Sequence, residues 1–276
     1  MLIMPYICAE QIYGIYIVQR CRGKIRMRGG MCMIDDKTVA ISKDTDLETV
    51  FLQDPQTVQR IDAFKDFSQK FEELMMMYGC AIREVRTKLE VLNDEFQVRR
   101  SHNPIEYIKY RVKKPLSIYE KLLRRGYPVT LDSIIDNLHD VAGIRVICGY
   151  VQDIYMIADL LTSQNDINLL EVKDYIKNPK PNGYRSLHLV VEVPVFFSDV
   201  CRPMKVEVQI RTIAMDFWAT LEHQLKYKNE GEVPPGIEGE LRSCSDVIAN
   251  TDVRMQNLYN SLKENKDKSK PDDSHE

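Results

Sequence analysis

Zinc-spaced cysteines are missing from this 276-residue chain. Its seven cysteines, at 8, 21, 32, 80, 148, 201 and 244, form neither a CxxC pair nor a Cys/His cluster. That excludes a zinc module, and the odd, scattered set argues against a secreted disulfide framework; a reducing, cytoplasmic setting is expected. Long apolar runs are also lacking. Residues 2–18 are rich in Ile, Tyr and Val, but Glu10 and Gln11 interrupt them and no basic stretch precedes them, so neither a signal peptide nor a membrane anchor is expected. Nor is there an excess of positive charge. A net charge of −3 excludes a surface built throughout to neutralise nucleic-acid phosphates, so any basic function has to be local. No segment of the chain repeats another.

What is present falls into four stretches. Residues 1–45 read as an extension of uncertain order, with Met27, Met31 and Met33 as alternative starts. From Pro55 to about Arg100, Val58, Ile61, Phe64, Phe67, Phe71 and Leu74, then Ile82, Val85, Leu89 and Leu92, recur at helical spacing and predict two helices. Met75, Met76 and Met77 sit on that pattern as adaptable core filler. A short helix is expected after Asn103-Pro104, and a second from Pro115 to Gly126. The period then changes: strands are predicted over 142–150, 167–173, 186–193 and 204–212, with a helix over 154–163. A closing helix carries Ile213, Phe217, Leu221 and Leu225. The glycines and prolines of 231–236 end it, a long amphipathic helix follows over 237–264, and 266–276 reads as a disordered tail. The sum is an α+β fold: a main domain over 46–230, a helical segment over 231–265 and the tail.

The chemistry concentrates in four places. Between Arg99 and Arg125 stand nine Lys or Arg against Glu106 and Glu120, a local net of +7 in an acidic protein. Within it, Pro115 opens a helix whose Ser117 and Lys121 share one face, just after Arg111 and Lys113. A helix N-terminus with a hydroxyl and several cations suits phosphate, although a charge run alone is more often a solvated face. Next, Asp140 precedes a buried strand in which Arg145 needs a partner; an acid there suits Mg²⁺, and a base or phosphate suits the arginine. Third, in the segment 174–188, Asn182-Gly183 is expected to make a turn, Tyr184 to offer an exposed ring for stacking, and Lys180, Arg185 and His188 to supply polar groups. Last, the strand Lys205–Arg211 alternates, so that Glu207, Gln209 and Arg211 oppose Val206, Val208 and Ile210. Glu207 is either a solvated position or a placed carboxylate able to bind metal and accept a proton.

In order, RxKxPxSxxxK, HDxAGIR, DYIxxPKxNGYRSLH and VEVQIRT with MDFWATLEHQLKYK resemble the synthetase domain of the RelA/SpoT family, in its small single-domain RelQ or RelP form. The resemblance covers about 55–230. It implies a nucleotidyltransferase-like mixed β-sheet with flanking helices and helical extensions at both ends. It also implies transfer of the pyrophosphoryl group of ATP to the ribose 3′-hydroxyl of GDP or GTP, making (p)ppGpp in the stringent response. By similarity, Arg111 and Arg145 would sandwich adenine, and Lys113, Ser117 and Lys121 would hold the ATP phosphates. Asp140 and Glu207 would bind Mg²⁺, with Glu207 helping to deprotonate the 3′-hydroxyl. Tyr184 would stack on guanine, near Lys180, Asn182 and His188. The family further implies a homotetramer built partly through the terminal helices, the segment 231–265 among them, with regulatory binding of (p)ppGpp or single-stranded RNA as an added expectation and no membrane. Asp216 departs from the Asn that product-activated members tend to carry.

Three rivals are weaker. His139-Asp140 is an HD pair, as in alarmone hydrolases, but the remaining histidines, 102, 188, 223 and 275, do not supply a metal cage. An RNA-binding module would use the basic segment and Tyr184 but leaves Asp140 and Glu207 unexplained. A template-independent nucleotidyltransferase would show more paired acids.

Overall fold

A computed structural model of the chain describes residues 20–21, 24–25, 55–228 and 236–268. Most of the 1–45 extension, the linker over 229–235 and the tail beyond Lys268 lie outside the described residues. The chain divides into two compact units, Met1–Asp62 and Ala63–Glu276. In the first, β1 (Arg20–Cys21) pairs antiparallel with β2 (Lys24–Ile25).

One helix stands where two were predicted. α1 (Pro55–Arg99) runs unbroken for 45 residues. The gap between the two apolar series is filled by Met77, Tyr78 and Ala81, which are buried and carry the stripe from Leu74 to Ile82. Gly79 lies inside the helix, where its cost of about 1 kcal/mol is too small to end it. The expected short helix after Pro104 is instead a strand, β3 (Ile105–Val112), hydrogen-bonded to β4 (Ala142–Cys148) from Ile105↔Cys148 to Val112↔Ala142. Its Ile, Tyr and Val content favours extended chain. An edge position with a bulge between Ile105 and Tyr107 hides the alternation, because only Ile105 is fully buried.

α2 (Pro115–Arg125) begins as expected with Pro at its first turn and ends on Gly126 at φ 72°, a left-handed cap that favours glycine. α3 (Leu131–Asn137) is capped by Thr130, whose hydroxyl accepts from Ser133 N at 3.2 Å. After β4 come α4 (Val151–Thr162), β5 (Asn168–Asp174), β6 (Leu187–Phe196), β7 (Cys201–Thr212), α5 (Ile213–Lys228) and α6 (Ile237–Lys268).

The five-stranded sheet has the order β3-β4-β7-β6-β5 and is mixed: β4 and β7 run parallel, and every other pair is antiparallel. Val206, Val208 and Ile210 of β7 and Ile144, Val146 and Ile147 of β4 are fully buried in the centre. β6 is covered on both faces, since Leu187 through Val191 are all buried, not only the alternate residues. α4 packs on β4, β6 and β7, and α5 on β4 and β7.

The two C-terminal helices bury other faces than their apolar stripes suggest. In α5 the inward residues are Met215, Asp216 and Trp218, while Ile213, Phe217 and Leu221 are exposed. α6 packs on α4 and α5 but does so through Ser245 and Asp252, leaving Val247 and Leu258 exposed.

Candidate active site

The C-terminal end of β3 and the start of β4 build one side of the site. Lys113 N bonds to Val141 O at 2.8 Å, so Lys113 stands beside Asp140, and Lys121 reaches the same acid from the second turn of α2. Asp140 Oδ2 receives Lys113 Nζ at 2.8 Å and Lys121 Nζ at 2.7 Å. Burial disfavours the Asp140 charge, but the hydrogen bonds and charges of the two lysines prevail and hold its carboxyl down at about 2. Burial pushes the Lys121 ammonium down, with Asp140 opposing. Asp140 Oδ1 is buried with no hydrogen-bond partner among the described residues. A buried, ionised carboxylate with one oxygen unused is a fitting ligand for a divalent cation. Ser117 makes no side-chain hydrogen bond among the described residues, and no side chain caps the N–H groups of the first turn of α2.

On the sheet, Arg111 faces Gly143 across the β3–β4 ladder. Arg145, two residues on, therefore shares the face of Arg111 one step away. Arg111 is exposed. Arg145 donates Nη1 to Asp216 Oδ1 at 3.1 Å and keeps a buried Nε without a hydrogen-bond partner among the described residues. The partner Arg145 needed is thus supplied in part by the protein.

Parallel pairing sets Glu207 of β7 opposite Gly143. Glu207 is mostly buried, not a solvated strand residue, and both its oxygens are supported: His188 Nδ1 lies 3.4 Å from Oε1, and Gln209 Nε2 donates to Oε2 at 2.7 Å. Burial raises the Glu207 acid, but the His188 and Gln209 contacts outweigh it and leave the group lowered, hence ionised. Asp140 is near enough for its charge to oppose that shift. Burial pushes the His188 imidazole down against the pull of Glu207, so it is neutral.

The donor logic then fixes the tautomer. Arg211 Nη2 can only donate, and it reaches Tyr184 Oη at 2.6 Å and Gln209 Oε1 at 2.7 Å. Tyr184 Oη sits 2.8 Å from His188 Nε2 and has its own proton to give there. Nδ1–H is left facing Glu207. Arg211 is itself paired with Asp216 Oδ1 at 3.2 Å.

The loop between β5 and β6 is shaped by its own polar groups. Asp174 Oδ1 accepts Ile176 N and Lys177 N, both at 3.0 Å. Gly183 N bonds to Lys180 O at 2.8 Å, which makes Pro181 and Asn182 the central residues of the turn, one step earlier than predicted; Gly183 follows at φ 92°. Asn182 Oδ1 accepts Tyr184 N at 3.2 Å and its Nδ2 donates to Glu222 Oε1 at 3.1 Å. Tyr184 is half-buried, not exposed, with Lys180 Nζ 4.9 Å and Arg211 Cζ 5.1 Å from its ring centre.

Of the predicted residues, Asp140, Lys113 and Lys121 meet directly, as do Glu207, His188 and Tyr184. Ser117 and Arg111 stand on adjacent elements without touching them. Sequence reasoning gave no role to Gln209, Arg211 or Asp216. A polar side chain at every second position after Glu207 was the available signal for the first two. Asp216 meets Arg145 across 71 residues, also takes Tyr107 Oη at 3.0 Å, and had no such signal. His139 does not join Asp140: its Nδ1 faces Glu171 Oε2 at 3.8 Å. Among the described residues no three His, Cys, Asp or Glu side chains gather as a metal cage.

Residues 110–232 match the model of the region found in RelA / SpoT proteins. GTP pyrophosphokinase YwaC of Bacillus subtilis is 40% identical over 199 residues, covering 72% of this chain and 95% of the relative. The structure of small alarmone synthetase 1 from Bacillus subtilis bound to its product pppGpp superposes with a TM-score of 0.66 at 34% identity, over 70% of this chain and 98% of that one. The same synthetase bound to AMPCPP gives 0.62 at 33% identity, over 71% and 99%. The chain belongs to the RelA/SpoT family, among its small alarmone synthetases.

Proposed function

We propose that the chain is a GTP pyrophosphokinase that transfers the pyrophosphoryl group of ATP to the 3′-hydroxyl of GDP or GTP, giving ppGpp or pppGpp and AMP. The observation that carries this reading is Glu207: an ionised, mostly buried carboxylate, supported on both oxygens by His188 and Gln209 and close enough to Asp140, the acid that Lys113 and Lys121 hold, to feel its charge. The nucleotides held by small alarmone synthetase 1, pppGpp and AMPCPP, support the substrate pair.

In the reaction, the 3′-oxygen attacks the β-phosphorus of ATP, the bond from that phosphorus to the α–β bridging oxygen breaks, and AMP leaves. Glu207 takes the proton of the hydroxyl, which is otherwise a poor nucleophile. Lys113 and Lys121 turn from Asp140 to the donor phosphates and screen the charge that develops there, with Ser117 and the first turn of α2 beside them. Arg111 and Arg145 flank the adenine. Tyr184 stacks on guanine, with Lys180, Asn182 and His188 around the acceptor. Asp140 Oδ1 and Glu207 would hold Mg²⁺, which supplies electrostatic screening of the transferred group.

The catalytic domain spans 46–230. Self-association into a homotetramer is supported by the exposed apolar residues Ile213, Phe217 and Leu221 of α5 and Val247 and Leu258 of α6. A need for ATP and a guanine nucleotide supports a cytoplasmic setting; no described helix is long and apolar enough to cross a membrane.

Incubation with γ-labelled ATP, Mg²⁺ and either GDP or GTP tests the assignment. Label is expected in a product carrying the 3′-diphosphate, with one AMP per turnover. Release of labelled phosphate alone would refute it.

A further inference from the structure

The sequence suggests α6 as an appendage for assembly, yet its inward face is pressed against the loop that carries Lys180, Asn182 and Tyr184. Ser245, buried, donates its hydroxyl to Gly183 O. The fit is tight: a Cβ at Gly183 would stand 2.8 Å from Ser245 Cβ and 3.2 Å from Arg242 Cα. With φ at 92° as well, Gly183 is required twice over, by backbone conformation and by the approach of the helix. One turn position along, Asp246 Oδ1 receives Arg185 Nη2 at 3.0 Å, while Arg185 Nη1 holds Ile176 O at 3.2 Å. The two limbs of the loop are therefore tied to each other and to α6 through one arginine.

The helix is anchored on either side of these contacts. Before them, Trp218 Nε1 of α5 donates to Leu241 O at 2.8 Å. After them, Thr212 Oγ1 at the end of β7 donates to the buried Asp252 at 2.8 Å. Further on, Gln256 Oε1 accepts Gln152 N at 3.0 Å and Tyr259 stacks on Tyr150 at 4.4 Å. A helix fixed at both ends to the sheet and its covering helices, and touching a loop between them, sets the position of that loop.

We propose that α6 braces the acceptor loop in cis, making Ser245 and Asp246 positioning residues for the guanine nucleotide. The contacts hold Gly183, one residue before Tyr184 and one after Asn182, so a shift of the helix moves both. The donor side has no such contact with Ser245 or Asp246 among the described residues. Loosening the brace therefore weakens acceptor binding and spares ATP.

The inference rests on the reading of 180–188 as the acceptor site, and the test separates the two. Steady-state rates are measured with ATP and GTP varied in turn, for the full chain and for Ser245→Leu and Asp246→Ala. Ser245→Leu places bulk against Gly183 and is expected to raise the GTP KM about tenfold or more, with the ATP KM within about twofold. Asp246→Ala changes a half-exposed helix position, leaves the core intact, and is expected to raise the GTP KM about threefold. Should Ser245→Leu fail to fold, Asp246→Ala decides. A role in stability alone would lower Tm and leave both KM values in place, and unchanged GTP KM in the folded variants overturns the brace. Absence of pyrophosphokinase activity in the unaltered chain would overturn the functional reading instead.

Discussion

The two halves of the site are held by different forces. On the proposed donor side, Asp140 and two lysines neutralise one another through ion pairs of 2.7–2.8 Å. On the proposed acceptor side, Tyr184, His188, Glu207, Gln209 and Arg211 are joined by directional hydrogen bonds in which every proton has one place to go. The first arrangement exchanges partners: phosphate oxygens can replace the carboxylate on the lysines, and a cation can replace the lysines on the carboxylate. The second exchanges nothing and is ready before substrate arrives. One half is thus built for capture and the other for preorganised chemistry.

Removing the charge from the prepared half is expected to have the largest effect. Glu207→Gln should lower kcat by about 10³-fold or more, within the usual range for loss of a general base and a metal-facing acid, with Tm nearly unchanged. Activity within tenfold of the unaltered enzyme would remove Glu207 from the chemistry. Tyr184 separates stacking from hydrogen bonding. Tyr184→Ala should weaken guanine-nucleotide binding by about 1–3 kcal/mol, the worth of a base–aromatic stack. Tyr184→Phe keeps the ring but strands Arg211 and His188, so its loss should appear in kcat, by about tenfold. Equal behaviour of the two variants would mean that the ring does not stack.

The exchanging half is tested by acid. The Asp140 carboxyl is depressed in the folded protein to about 2, from an ordinary value of 3.8. Its ion pairs therefore contribute stability that is complete above about pH 4 and is lost as the pH falls toward 2. Asp140→Asn should abolish that part of the acid dependence, on the order of 1–2 kcal/mol after allowance for solvent screening, in urea titrations at pH 3 and pH 6. The smallest effect on catalysis is expected at the surface. Phe217→Asp should reduce the mass seen by light scattering while leaving Tm and kcat near their original values, and an unchanged assembly would move the interface elsewhere.

Legibility in the sequence followed the range of the interactions. β7 was clear because its buried and polar residues alternate without exception from Lys205 to Arg211. α2 was clear because Pro115 and Gly126 mark its ends locally. β3 was hidden because its basic residues look like a helix surface until β4 is beside it, and α1 was split because the apolar series breaks between Leu74 and Ile82, a gap that the buried Met77, Tyr78 and Ala81 fill. Asp140, Glu207 and Tyr184 were found through ordered motifs. The pairings that give them their properties, such as Tyr184 with Arg211 or Arg145 with Asp216, join residues 27 and 71 positions apart and exist only once the sheet has formed.

The acceptor-side hydrogen bonds also have a polarity. Two arms lead from Arg211 to Glu207, one through Tyr184 and His188 and the other through Gln209, while Asp216 takes a separate bond from Arg211. Both run from cation to anion, so the dipoles along each arm add and keep Glu207 negative. In the proposed reaction, a substrate proton landing on Glu207 would remove its charge and slacken both arms together. If Tyr184 stacks on the acceptor base as proposed, it would thereby register that chemistry has occurred, and the grip on the nucleotide would weaken as it becomes product.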